Sequence, residues 1–200
     1  VYSRIVPVEY PTAGEMPSPA KIGIIDVTSG STKWVPVPGD PQQNYIPRIE
    51  WNSGNELFVE QLNRKQNESH LYSYNSSVNN IREVFVDKDE AWIDVFTPWE
   101  DVYALDFRHK IRWINSGKEF LWYSERDGWR HVYRITKEGK ATLITKGNYD
   151  VMDIRLVDEK GKYLYFLASP ENATQRYLYR TKLDGTGKLD VTDTSGHAGS

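Results

Sequence analysis

The sequence predicts an all-β fold: antiparallel four-stranded blades of a β-propeller, about three to four of them, forming a partial propeller. Two observations carry this. The first is a repeated unit in which a polar turn is followed by an apolar aromatic run and then by a second, tyrosine-bearing run. The turns hold Asn52, Ser53 and Gly54, then Asn115, Ser116 and Gly117, then Asp158, Lys160 and Gly161. The runs after them hold Leu57, Phe58 and Val59; Phe120, Leu121, Trp122 and Tyr123; and Tyr163, Leu164, Tyr165 and Phe166. Such residues suit a pleated, half-buried surface, and Asn, Asp and Gly suit the reversals between strands. The second observation is spacing. From the turn glycine to Tyr72, Tyr133 and Tyr179 is 18, 16 and 18 residues, and the glycines themselves lie 63 and then 44 residues apart. The second interval is one blade of about 40–50 residues; the first is a blade with an insertion of about twenty.

Taken in order, residues 1–9 alternate loosely and read as a strand. Residues 10–19 carry three prolines and a glycine and read as an extended connector, since each proline removes a donor and fixes φ. Residues 21–27 read as a buried strand, 28–31 as a turn and 32–37 as the returning strand. Residues 46–51 read as the inner strand of the next unit, with Pro47 tolerated near its start. Residues 63–69 are polar and mark a long hairpin loop; 81–86 read as an outer strand. The insertion spans 87–107, and the stretch 99–106 is the one place where a short helix is expected. Residues 110–113 open the next unit, the turn 125–128 reverses it, and 142–145 close it. Residues 150–155 start a further unit, and 188–192 form the last strand. The expected division is one segment, 1–200: a connector over 1–20, a partial blade over 21–45, a blade with an insertion over 46–103, a blade over 104–150, and a blade incomplete at its end over 151–200.

Composition excludes some function classes. A net charge of −3 leaves no broad basic footprint, so nucleic acid is not an expected partner. Without cysteine there are neither disulfides nor thiolate metal sites. No apolar run approaches the roughly 18–20 residues that span a bilayer. The four histidines, His70, His109, His131 and His197, are scattered without metal-ligand spacing, so neither a metal nor a cofactor is expected. The chain starts at Val1 and ends in small residues, which suggests a segment of a longer polypeptide. Open blade faces in such a segment would favour homo-oligomeric association.

Three motifs carry a resemblance to a known family. Ser124-Glu125-Arg126-Asp127-Gly128-Trp129-Arg130-His131-Val132-Tyr133 resembles the SERDGWRHLY signature of the propeller domain in dipeptidyl peptidase IV-like enzymes, members of the prolyl oligopeptidase family of serine peptidases. Tyr10-Pro11-Thr12-Ala13-Gly14 resembles the YPKAG segment of that domain, and Leu143-Ile144-Thr145-Lys146-Gly147, with Tyr149, Asp150 and Val151, resembles its LTKG run. The motifs occur in the family's order. The resemblance implies a parent that releases dipeptides from peptide N-termini with proline or alanine second, in a periplasmic or secreted setting. It also implies a catalytic Ser-Asp-His triad in a C-terminal α/β-hydrolase domain, which would be the partner of this segment. No G-x-S-x-G elbow occurs in this chain, so no catalytic residue is expected in it. The family's Phe-Arg pair, which lines the outer substrate pocket, has its counterpart in Phe107 and Arg108, offset by about one residue.

Other residues have plainer readings. His131 opens a strand and reads as structural, because a catalytic base needs a nucleophile within reach. Glu125, Arg126, Asp127 and Arg130 read as turn chemistry with ion pairs, whose surface worth is about 0–1 kcal/mol each. Asp94 and Asp153 stand in similar four-residue contexts and read as structural residues at blade starts. Asn67, Asn75 and Asn172 begin glycosylation-type triplets and mark surface loops. The expected function is therefore that of a non-catalytic propeller segment of a dipeptidyl peptidase IV-like exopeptidase, gating and positioning peptide substrates. The alternatives are a stand-alone protein-binding propeller and a carbohydrate-binding protein; the latter requires its aromatic residues to line a groove instead of the core.

Overall fold

The computed structural model describes residues 3–5, 7, 12–95 and 111–192. These residues contain fourteen strands and no helix. Strands β1 (Gly23–Ile25) and β2 (Thr32–Trp34) form a two-stranded hairpin. Strands β3 (Asn44–Ser53), β4 (Glu56–Asn63), β5 (Glu68–Asn75) and β6 (Asn80–Lys88) form a four-stranded antiparallel sheet in sequence order. Strands β7 (Arg112–Ile114), β8 (Glu119–Ser124), β9 (His131–Thr136) and β10 (Ala141–Leu143) form another, and β11 (Val151–Asp158), β12 (Tyr163–Ala168), β13 (Tyr177–Lys182) and β14 (Leu189–Asp190) a third. The expected all-β architecture of antiparallel blades is observed. The expected strand over 1–9 and helix over 99–106 fall wholly or largely outside the described residues.

Local chemistry explains the strand details. Pro47 sits where the β3–β4 register shifts, between Tyr45 and Arg48, so its missing donor costs no regular ladder bond. Asn115, Ser116 and Gly117 all have positive φ, the left-handed turn that Asn and Gly tolerate best. The first hairpin departs from expectation. The apolar run 21–27 reads as a buried strand, yet only residues 23–25 pair as one, and Ile25 and Val27 are 62% and 95% exposed. Two short strands cannot cover both of their own faces: Ile22 and Val35 are buried in the core, and Ile24 and Val37 are only partly buried against it.

The core lies between successive sheets. One cluster joins Phe58, Leu71 and Phe85 of β4, β5 and β6 to Phe120, Trp122, Tyr133 and Ile135 of β8 and β9. The next joins Leu121 and Val132 to Val151, Leu164, Phe166 and Tyr179. Most of the tyrosine and tryptophan at repeated positions therefore packs between blades, with Phe58 and Trp113 edge to face at 4.6 Å. The repeat also explains two glycines. A Cβ on Gly139, in the β9–β10 turn, would lie 2.1 Å from the Val84 carbonyl oxygen of β6. A Cβ on Gly185, in the β13–β14 turn, would lie 2.6 Å from the Leu143 carbonyl oxygen of β10. Each outer turn thus rests on the outer strand of the preceding sheet, and each glycine has a φ above +80°.

Candidate functional site

Because neighbours are antiparallel, the β4–β5 turn, the end of β6, the start of β7, the β8–β9 hairpin, the β10–β11 link and the β12–β13 loop all emerge at one end of the sheets. The motif 124–131 is the β8–β9 hairpin, and it bonds to the sheets on both sides. Asp87, buried at the end of β6, accepts from Ser124 Oγ at 2.8 Å, from the Trp122 indole at 3.2 Å and from the Arg126 guanidinium at 2.8 Å. Arg126 also donates to the Val86 carbonyl at 3.1 Å and to Ser124 Oγ at 3.1 Å. Its guanidinium lies over the rings of Phe85 and Tyr133, 4.6 and 5.4 Å from their centroids. On the other side, Arg130 donates through Nε to the Val151 carbonyl at 3.0 Å, and its backbone N–H to Asp150 at 2.8 Å. The hairpin therefore joins three consecutive sheets.

Two neighbouring acids have environments that disfavour their charge. Glu60, 2% exposed, accepts from Ser69 Oγ at 3.2 Å and faces Arg48 Nε at 3.4 Å. Burial raises its pKa, and the nearby Asp87 charge adds to this, while Arg48 and Ser69 only partly offset it. Partial burial also raises Glu125; Arg130 opposes the rise and Asp150, Asp94 and Asp89 support it. Glu125 faces a small hollow lined by Asp89, Trp92, Asp94, Tyr123 and Arg130. About 20 Å³ of it is open to the centre of a solvent molecule, room for one or two waters and not for a peptide. A larger hollow, about 650 Å³, lies under the first hairpin, among Ile22, Trp34, Val35, Pro38, Ile46 and Gln61. It is mostly apolar and brings no acid and base together.

Of the residues singled out from sequence, His131 is 1% exposed, bonds Asp127 through Nδ1 at 2.8 Å and packs edge-on to Tyr149, a structural placement. Asp127 and burial together push the Tyr133 phenol well above its ordinary value, burial being the larger cause. Asp94 and Asp153 are not equivalent: Asp94 lies in the β6–β7 connection, while Asp153 is in β11 and pairs with Arg155 at 3.1 Å. Similar local sequence placed them together, but the ladder does not. Phe107 and Arg108 lie outside the described residues. Sequence reasoning missed Asp87 and Glu50. Glu50, half-buried on β3, accepts from the Ile111 backbone N–H at 2.6 Å and the Trp113 indole at 3.0 Å. No local signal marked Glu50, which shares β3 with Arg48 and Asn52 and lies 61 and 63 positions from its partners. Among the described residues no cluster of His, Asp or Glu could hold a metal ion.

Residues 1–199 match the model of a family described as the dipeptidyl peptidase IV N-terminal region. The chain belongs to this family. Within the dipeptidyl peptidase IV N-terminal region family it is similar to a probable dipeptidyl peptidase 4 of Emericella nidulans, 22% identical over 89% of this chain and 23% of the relative. It is 25% identical to the dipeptidyl peptidase 4 of Trichophyton equinum, over 92% of this chain and 23% of that one. The crystal structure of Porphyromonas gingivalis dipeptidyl peptidase 4 superposes with a TM-score of 0.75 and 28% identity, covering 93% of this chain and 25% of that one. The chain thus spans about a quarter of the length of these dipeptidyl peptidases, within their N-terminal region, and its sheets are blades of their propeller.

Proposed function

We propose that this chain is a non-catalytic propeller segment of a serine exopeptidase that releases N-terminal X-Pro and X-Ala dipeptides, and that it gates and positions the peptide. The match of residues 1–199 to the N-terminal region of dipeptidyl peptidase IV carries this reading. Its partners are the C-terminal α/β-hydrolase domain of the same polypeptide and the peptide substrate. Phe107 and Arg108 contact the substrate: the arginine offers a planar pair of donors to a carbonyl or carboxylate, the phenylalanine an apolar wall. A propeller built of bonded blades limits access by size and holds the peptide for attack, so it acts on selectivity without supplying a nucleophile. The domain limits are those of the repeat: a connector to residue 20, a partial blade to 45, and blades over 46–103, 104–150 and from 151 onward.

The test compares this chain with the full-length protein on a Gly-Pro chromogenic substrate. Activity in the full-length protein and none in the segment is the expected result. In the full-length protein, Phe107→Ala and Arg108→Ala each raise KM. Hydrolysis by the segment alone, abolished by a substitution within it, overturns the reading.

A further inference from the structure

We infer that Trp129 and Trp92 form a docking surface for the C-terminal hydrolase domain of the same polypeptide, which meets the sheets end-on. This rests on the reading that such a domain belongs to the parent protein. Most exposed apolar side chains have another explanation. Ile49 and Trp51 pair with Val59 and Leu57, on the face that the two-stranded hairpin only partly covers. Leu156 and Leu189 pair with Tyr165 and Arg180, on the face of the last sheet turned away from the β7–β10 sheet. Further blades of a propeller cover such faces. Trp129 has a different setting. It is 40% exposed in the β8–β9 turn of the β7–β10 sheet, which packs on β3–β6 on one side and on β11–β14 on the other. No blade can be added beside a sheet that already has both neighbours, so a surface that covers Trp129 approaches along the sheet ends. Trp92, 52% exposed, follows β6 at the same end and lines the small hollow with Glu125 and Arg130.

The backbone beneath both rings is held. Arg126 and Arg130 bond the hairpin to the sheets on either side. The Trp92 N–H donates to the Asp89 carboxylate at 3.1 Å and the Ile93 N–H to the Gln66 carbonyl at 2.6 Å, so this stretch lies on the β4–β5 turn. Tryptophan is enriched among the residues that carry interface energy, and a fixed backbone lowers the cost of ordering it on binding. The occupant follows from length. The chain spans 23% of two dipeptidyl peptidase relatives and 25% of a third, so most of such a polypeptide lies outside it. A domain on the same polypeptide docks at high effective concentration, so two aromatic anchors serve where a separate protein needs a larger patch. Asp89, Asp94 and Glu125 line the hollow beside Trp92, while Lys88 pairs with Glu68, Arg126 with Asp87, and Arg130 donates to the Val151 carbonyl. The facing surface is therefore an apolar patch with a basic rim.

The experiment is hydroxyl-radical footprinting of the full-length protein, read by mass spectrometry so that each tryptophan reports separately. Val78→Trp supplies the calibrator, because Val78 is 70% exposed in the β5–β6 turn at the opposite end of the sheets. Trp129 and Trp92 are expected to oxidise at least about fivefold more slowly than the introduced ring, as side chains in the water-excluded core of an interface do. Equal rates at the three positions overturn the docking role. Protection lost on dilution assigns the surface to a second copy, and protection that appears only with added Gly-Pro peptide assigns it to substrate; either result overturns the hydrolase domain as occupant. Trp129→Ser is expected to speed tryptic cleavage between the domains about tenfold, since cleavage tracks the undocked population and one anchor is lost. Trp129→Phe, which keeps a ring, gives a smaller rise, and Val78→Ser gives none; a rise with Val78→Ser equal to that with Trp129→Ser overturns the docking role. Hydrolysis of Gly-Pro p-nitroanilide is measured alongside. Hydrolysis without protection overturns the docking role alone, and protection without hydrolysis overturns the exopeptidase reading while the docking surface stands.

Discussion

Replacing Arg126 by methionine tests what the motif hairpin contributes to the fold. Methionine keeps an unbranched apolar stem but removes the charge that faces Asp87. The Asp87 side chain is 6% exposed and the Arg126 side chain 29% exposed. Removing one partner of a buried ion pair costs about 3–5 kcal/mol, because the other charge stays buried. Partial exposure of Arg126 reduces this to about 2 kcal/mol, since solvent already screens its side of the pair. Loss of the two ring contacts, to Phe85 and Tyr133, adds about 0.5–1 kcal/mol at such partly exposed sites. The expected destabilisation is therefore about 3 kcal/mol. Urea unfolding followed by tryptophan fluorescence measures it, with Trp122 inside the cluster as a reporter. Arg126→Lys should fall between, because an ammonium cannot serve Asp87, the Val86 carbonyl and Ser124 while lying flat on two rings. A double-mutant cycle with Asp87→Asn should give a coupling of about 2 kcal/mol, since neutral Asn no longer leaves a charge stranded. A loss below about 1 kcal/mol for Arg126→Met, or no coupling, would refute the claim that this pair locks the two sheets.

The remaining predictions concern the seams. Gly139→Ala should cost about 3 kcal/mol or more by urea unfolding, combining left-handed strain of about 1–2 kcal/mol with displacement of the β6 backbone. Gly54→Ala, with φ of +56° and nothing within 4 Å of the added carbon, should cost only the strain, and equal losses at the two positions would sink the steric account. Glu60→Gln tests the buried acid through pH. Its folded pKa lies above the ordinary 4.5, so its contribution to stability is fully present below 4.5 and is lost as pH rises through the folded value. The variant should therefore gain stability relative to the parent protein as pH rises above 4.5; melting curves from pH 4 to 8 that stay parallel would contradict this.

The strands were legible because their pattern is local. The apolar aromatic runs in 119–124 and 163–168 and the turn residues at 115–117 and 158–161 each state their conformation within a few positions. The repeat spacing then placed them in successive sheets. The first hairpin was misread for the opposite reason. Its apolar run, containing Ile22, Ile24, Ile25 and Val27, has a buried strand's composition, but composition does not report how many neighbours a strand will have. The cluster Glu125, Arg126, Asp127 and Arg130 is turn chemistry with ion pairs, as its sequence indicates, but the buried Asp87 takes the Arg126 pair out of the surface class. Its partners were not legible: Asp87 lies 39 positions from Arg126, and Val151 lies 21 from Arg130.

Those partners show why a repeat fold can conceal the bonds between its blades. Burial between blades is distributed over many interchangeable apolar residues, so it recurs with the repeat and can be read from it. The polar bonds between blades are made singly, by acids such as Glu50 and Asp87 that collect donors from the facing sheet. Glu50 meets its donors across two sheets, and its strand neighbours Ile49 and Trp51 are exposed, so nothing around it in sequence marks it.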